Sequence, residues 1–241
     1  MGVLIIKPVP KNLAKDLILE HHYSHTWQSS FGIYNFGIFR EFEPDNCLGV
    51  AVYGLMKNSK AKIFESAIEG GWMIELNRMW ISDELGHNAE TILIGASIRL
   101  LRTFDPTIVA VQSFADGRLG CGTIYKAANF KYYGHHITRF FRNKTTGAVK
   151  HEQTLTNSQN RAGFLRLNVE LLLGNLEAFD VRTYRYIYPL HKSFKFKKQE
   201  SPYPPYNKGT MPATETIKPD HLVTRITDVV RLLAHKYPHK K

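Results

Sequence analysis

Residues 90–114 read ETILIGASIRLLRTFDPTIVAVQSF: one long apolar run, a break at Asp105-Pro106, then a shorter apolar run. The first is long enough for a helix and apolar nearly all round, so it must be covered on most sides. Gly95, Ala96 and Ser97 would let that helix approach a sheet closely. TIVAVQSF has the length and β-branched content of a buried strand. A chain holding these two segments in succession builds a sheet with helices packed against it.

The rest of the periodicity extends that picture. VLIIKPV predicts a first strand, and Leu13, Leu17 and Ile18 recur at helical spacing over residues 11–22, ending in HHYSH. FGIYNFGIF and CLGVAVYGLM, separated by the turn residues EFEPDN, predict an antiparallel hairpin between Ser30 and Lys57. WMIELNRMWI predicts another strand, interrupted by Glu75, Asn77 and Arg78, and CGTIYKAANF a further helix. The order predicts a three-layer α/β or α+β domain.

Charge narrows the partner. The 241 residues carry 32 Lys+Arg against 21 Asp+Glu, a formal +11. Residues 191–241 hold 11 Lys+Arg and 4 acids, so +7 of that excess lies there. A polyanionic partner is expected. In HKSFKFKK, Lys192, Lys195, Lys197 and Lys198 alternate with Phe194 and Phe196, a pattern suited to phosphate contact plus base stacking, or to an edge strand kept soluble by lysine. Beyond it, SPYPPYNKGTMPATETIKP reads as an extended linker. An amphipathic helix follows an Asp220 cap, with Leu222, Ile226, Val229, Val230 and Leu233 on its apolar face. We therefore expect a catalytic domain over 1–190, with a helical insert at about 155–175, and a basic, Pro-rich extension over 191–241. Two cysteines, Cys47 and Cys121, are too few for a disulfide framework, and no run reaches the roughly 18 apolar residues of a membrane span. The start lacks a signal-peptide pattern, so a reducing cytoplasm is the expectation. Oligomeric state, a homodimer included, stays open.

WMIELNRMWI, IVAVQSFAD and GTIYKAANFKYYG together resemble the Gcn5-related N-acetyltransferase (GNAT) fold, a mixed central sheet flanked by helices. HHYS at 21–24, ELNRM at 75–79 and ADG…GTIYKAANF resemble more specifically the Mom family of phage DNA-modification proteins. That resemblance implies an enzyme converting adenine N6 in DNA to a carbamoylmethyl (acetamido-type) derivative and so shielding DNA from restriction. It carries catalytic roles onto Asp116, Tyr125, Arg78, His22 and Tyr23, and an iron dependence that His22 and Asp116 would serve as ligands. Double-stranded DNA is the implied partner, with the adenine flipped out because N6 is paired within the duplex.

Each residue has a plainer reading. Asp116 before Gly117 suits an Asx turn, Tyr125 could be core packing beside Phe130, and His21, His22 and His25 end a helix whose dipole favours imidazolium. Arg78 could pair with Glu75, although residues three apart on a regular strand face opposite ways. One departure bears on cofactors. Where the fold's acetyl-CoA pyrophosphate loop is expected, the chain reads Asp83-Glu84-Leu85-Gly86-His87-Asn88, placing carboxylates against the phosphates. Arg118-Leu119-Gly120-Cys121-Gly122 is a second glycine-rich candidate. An acyl-CoA-dependent N-acetyltransferase and a non-catalytic DNA-binding protein remain the alternatives.

Overall fold

The computed structural model describes residues 3–58, 62–206 and 215–237. Its elements run β1 (Leu4–Pro8), α1 (Lys11–His21), β2 (Tyr34–Arg40), β3 (Gly49–Gly54), β4 (Phe64–Glu65) and β5 (Trp72–Ile81). A 3₁₀ turn (Asp83–Leu85) leads into α2 (Ala89–Phe104), β6 (Ile108–Asp116), α3 (Thr123–Ala127), β7 (Lys131–Asn143) and β8 (Val149–His151). Next come α4 (Glu152–Thr156), α5 (Arg161–Leu172), β9 (Leu176–Pro189), β10 (Lys195–Phe196), β11 (Glu215–Ile217) and α6 (Leu222–Lys236).

The chain forms two compact units. Unit 1 comprises Met1–Ala115, Gly122–Gly134 and Arg185–Pro205; unit 2 comprises Asp116–Cys121, His135–Tyr184 and Tyr206–Lys241. The sequence placed one boundary at residue 190, whereas by contacts the segment 191–205 belongs to unit 1 and the chain from Tyr206 onward to unit 2.

Unit 1 is built on a mixed sheet. β1, β2, β3 and β5 pair antiparallel in that order, and β5 pairs parallel with β6. Val50 and Val52 of β3 pack with Ala14 and Ile18 of α1. Tyr53, the next residue along the strand, is fully buried and its hydroxyl lies 2.6 Å from Ser97 Oγ of α2. Successive strand residues point to opposite faces, so α1 and α2 cover the two sides of the sheet, giving the three layers expected. β4 and β10 form a short antiparallel ribbon.

Unit 2 pairs β7 with β8 and β9 with β11. Phe141, Phe164, Leu171 and Leu176 form its core together with Val229 and Leu232 of α6. α6 buries only part of the expected face: Val229 and Leu233 pack into the core beside Leu232, whereas Leu222, Ile226 and Val230 are exposed and Asp228 is buried. Asp228 Oδ1 meets Arg139 Nη1 at 2.5 Å, and this pair turns the acidic position inward. Asp220 is not the cap. It pairs with Lys144 and Arg225, and His221 occupies the N-cap position.

Candidate active site

β5 makes the site possible. Along β3, Gly54 faces Glu75, Tyr53 faces Leu76 and Val52 faces Arg78, so Asn77 is an extra residue without a rung of its own. A bulge of this kind re-aims side chains. Counted on the ladder, Glu75 and Arg78 are two positions apart and share a face, which removes the pleat objection to their pairing. Gly54 permits the bulge: a Cβ there would stand 2.2 Å from Ser30 O and 2.5 Å from Asn77 Oδ1.

Glu75 is clamped from two sides. Asn77 Nδ2 donates to Oε1 at 3.2 Å, and Gln112 Nε2, from the facing position of β6, donates to Oε2 at 3.1 Å. Burial pushes the Glu75 carboxyl up from its ordinary value against the opposing pull of those two amides, Arg78 and Arg185. Arg78 donates from Nη1 to Asn77 O at 2.7 Å and from Nη2 to Thr26 Oγ1 at 3.2 Å, and its guanidinium lies 4.7 Å from the centre of the Phe31 ring. Arg185 lies between the rings of Phe114 and Phe196, 5.3 and 5.7 Å from their centres.

Tyr125 of α3 is buried and joins the cluster electrostatically. Burial raises its hydroxyl to about 12; the Ser113 hydroxyl bonds to it, and Glu75, Arg78 and Tyr23 all act on it. Gln112 and Ser113 are consecutive in β6, so one reaches Glu75 while the other reaches Tyr125. Its ring also packs on Phe130 and Tyr186, as the plainer reading had it. Gly122 has φ +81°, and a Cβ there would meet Tyr186 at 2.7 Å and Tyr125 at 3.0 Å. Close packing around Tyr125 therefore accounts for this glycine of the RLGCG stretch.

His22 is buried at the C-terminal end of α1, its ring 4.3 Å from that of Tyr23. Burial first, then Arg78 and His25, lower it to about 4, so it is neutral rather than the imidazolium expected at a helix end. Its Nδ1 lies 2.8 Å from Ser24 Oγ and 3.1 Å from the Ser24 backbone nitrogen. Beside it a cleft of about 330 Å³ is lined by His21, His22, Tyr23, Trp80, Glu90 and Ile124. His21 stacks on Trp80 at 4.2 Å. Tyr23 links cleft and cluster, since it lines the first and acts on Arg78 and Tyr125 in the second.

Asp116 belongs to unit 2 and is bound within its own turn. Its Oδ1 accepts the Arg118 backbone N–H at 3.0 Å, closing an Asx turn, and the Arg118 side chain grips both oxygens at 2.5–3.0 Å. The carboxylate expected as base or ligand is thus already committed. Iron fits poorly as well. Among the described residues no group of three or more His, Cys, Asp or Glu side chains could hold a metal ion. The expected iron site of His22 and Asp116 finds no support in this arrangement.

The acyl-CoA grip meets the obstacle read in the sequence. Ser82 accepts the Glu84 N–H, Glu84 pairs with Arg40 at 3.5 Å, and Glu90 in the first turn of α2 lines the cleft. Asp83, Glu84 and Glu90 put three carboxylates about this helix start, which disfavours a pyrophosphate there.

Lys192, Lys195, Lys197 and Lys198 are exposed on or beside the β4–β10 ribbon. The aromatics between them are not. Phe194 is buried with Met73, Val109 and Ile187, and Phe196 packs on Tyr133. The alternation therefore serves the core on one face and leaves charge on the other, without the stacking function expected of the rings. Among the described residues no helix is long and apolar enough to cross a membrane.

The model of the Mom protein family matches residues 3–206. The chain belongs to the Mom family. It is 33% identical over 187 residues to methylcarbamoylase mom of Escherichia phage Mu, covering 75% of this chain and 73% of that protein. Among solved structures, this Mom protein is similar to Arabidopsis thaliana NAA60 in complex with acetyl-CoA (TM-score 0.48, 9% identity, 78% of this chain and 100% of that one). It is also similar to a spermidine/spermine N-acetyltransferase of Vibrio cholerae (TM-score 0.40, 10% identity, 77% and 92%).

Sequence reading missed Glu75 as a centre in its own right, and with it Gln112, Ser113 and Arg185. The available signal was polarity inside strands otherwise made of apolar residues, at WMIELN and IVAVQSF.

Proposed function

We propose that this Mom protein transfers a carbamoylmethyl (acetamido-type) group to N6 of adenine in DNA, in the cytoplasm of a bacterial host, and thereby protects the DNA from restriction. What carries the reading, beside the kinship to a methylcarbamoylase, is one cluster holding two proton carriers of opposite habit. Burial raises the Glu75 carboxyl above its ordinary value, which makes it a stronger base than an exposed carboxylate, and Tyr125, raised to about 12, keeps its proton at neutral pH and can give it to a leaving group. As the N6–C bond forms and the carbon–leaving-group bond breaks, the N6 proton passes to Glu75 and the departing group takes a proton from Tyr125. Arg78 stabilises the negative charge that develops between them. Tyr23, 55% exposed at the mouth of the cleft, stacks on the flipped base. His22 is a positioning residue, holding Tyr23 by ring contact.

Lys192, Lys195, Lys197 and Lys198 contact phosphates. Replacing all four by Gln should flatten the slope of log affinity against log salt by about one for each phosphate no longer neutralised; an unchanged slope removes the ribbon from the interface. The decisive experiment is mass spectrometry of nucleosides from DNA of cells expressing the protein. Modified adenine should appear with the wild type and fall by about 100-fold or more with Tyr125→Phe and with Glu75→Gln. DNA binding without any modified base would leave a non-catalytic DNA-binding protein.

A further inference from the structure

Three side-chain atoms around Glu75 are buried and have no hydrogen-bond partner among the described residues: Asn77 Oδ1, Gln112 Oε1 and Arg78 Nε. Asn77 is 8% exposed and Gln112 4%. Buried polar groups are nearly always paired, and each orphan costs about 1–3 kcal/mol. Three around one carboxylate mark a place that awaits a partner. The amide orientations are fixed by Glu75. Both carboxamides turn their N–H₂ toward its oxygens, which leaves both carboxamide oxygens as acceptors facing elsewhere.

The unmet needs have a definite chemistry: two acceptors and one N–H donor. A cationic ligand is disfavoured, because Arg78 and Arg185 both act on Glu75 and leave the cluster with an excess of positive charge. A neutral amino group beside a ring nitrogen satisfies all three on binding, since its two N–H bonds serve the oxygens and the ring nitrogen accepts from Arg78; one of those N–H bonds then turns to Glu75, which the same two carboxamides hold, as its proton is passed on. A keto base presents the reverse order, an acceptor beside a ring N–H, and would set oxygen against oxygen.

The geometry points to Asn77, Gln112 and Arg78 as the residues that read the amino edge of the flipped base, so that the site admits an amino base and rejects a keto base. This rests on the proposed reaction and names its substrate-selecting residues. Adenine and cytosine share the amino-and-ring-nitrogen pair, so the cluster separates amino from keto bases and leaves the choice between those two to the shape of the cleft.

The test uses the full chain and short single-stranded thymidylate oligomers carrying one central adenine, one central hypoxanthine, or one central purine lacking the 6-amino group. Thymine is itself a keto base, so the strand contributes only background. The wild type should bind the adenine strand about 10-fold more tightly than the other two, as expected for one good paired contact. Gln112→Met and Asn77→Ser should each bring that ratio close to one, through weaker binding of the adenine strand and relief of the oxygen–oxygen contact with hypoxanthine. A denaturation midpoint close to that of the wild type reports that the variant is folded. Equal affinities in the wild type overturn the inference, as does a ratio that survives in both variants, the result if ordered water rather than a base satisfies these atoms. The two proposals fail separately: modified adenine in cellular DNA with a wild-type ratio of one sinks the recognition site alone, whereas a ratio of ten without modified adenine sinks the reaction alone.

Discussion

Arg139 in unit 2 and Arg78 in unit 1 are both partly buried arginines set among carboxylates and amides, and they differ in completeness. Arg139 donates from Nε and Nη2 to Asp180 at 2.8 and 3.2 Å and from Nη1 to Asp228 at 2.5 Å; Lys218 and Arg231 close the remaining sides at 2.9 and 3.7 Å. Hydrogen bonds from Arg139 and Lys218 hold the Asp180 carboxyl below its ordinary range against the upward push of burial. None of these atoms is left over. Around Arg78, by contrast, the guanidinium Nε and two amide oxygens are unmatched. A closed network is committed to holding α6 and the strands of unit 2 together, and an open one keeps bonding capacity for something that arrives later.

The strongest way to break the comparison is Arg139→Met. It strands Asp180 and Asp228 without their counter-charge and should lower unfolding free energy by about 3–5 kcal/mol in denaturant titration at constant m. Should the midpoint hold, the unit 2 network is not structural. Arg78→Met is the matched case. It removes an orphaned donor together with two hydrogen bonds, so stability should move by only about 1 kcal/mol, while modified adenine in cellular DNA falls by about 100-fold. A stability loss as large as that of Arg139→Met would erase the distinction.

A pH effect comes next. In the folded state His22 titrates at about 4 rather than its ordinary 6.5, so between those values the unfolded chain binds the extra proton. Stability from the neutral ring is complete above pH 6.5 and declines as pH falls toward 4. Denaturation of His22→Gln above 6.5 and near 4 should show a smaller decline than the wild type; parallel declines would mean that the ring is not held neutral. The smallest effect is expected of Gln112→Met, which loses a donor to Glu75 and an orphaned oxygen at once. These oppose each other, and the midpoint should shift by less than about 1 kcal/mol.

The layers of unit 1 were legible because burial writes a period into the sequence, as in the helix at 89–104 and the strand at 108–116. Tyr125 and Arg78 were legible through the family's motifs, and the structure groups them with Tyr23 and His22. The two readings of Asp116 were not separable in sequence, because a strand-end carboxylate looks alike whether it faces a ligand or its own turn; the Arg118 side chain holds it in the turn. Glu75 was underrated for a related reason. Its importance arises from Gln112, 37 positions along the chain, and from a bulge that no two-residue alternation reveals. The α6 face was legible in Val229 and Leu233 but not at Leu222 and Ile226, which are exposed while Asp228 is buried against Arg139, a pairing no hydrophobic period reveals.

The bulge also changes what the loss of a residue would mean. β5 uses seven residues, Glu75–Ile81, to pair with the six of Gly49–Gly54. Removing Asn77 would leave every rung between β3 and β5 with its present partner, whereas a deletion elsewhere along this stretch would displace the pairs on one side of it. Strands ordinarily tolerate a changed side chain far better than a shortened backbone. At this one position the order reverses for the scaffold, which has a residue to spare, and the loss would fall on base selection instead.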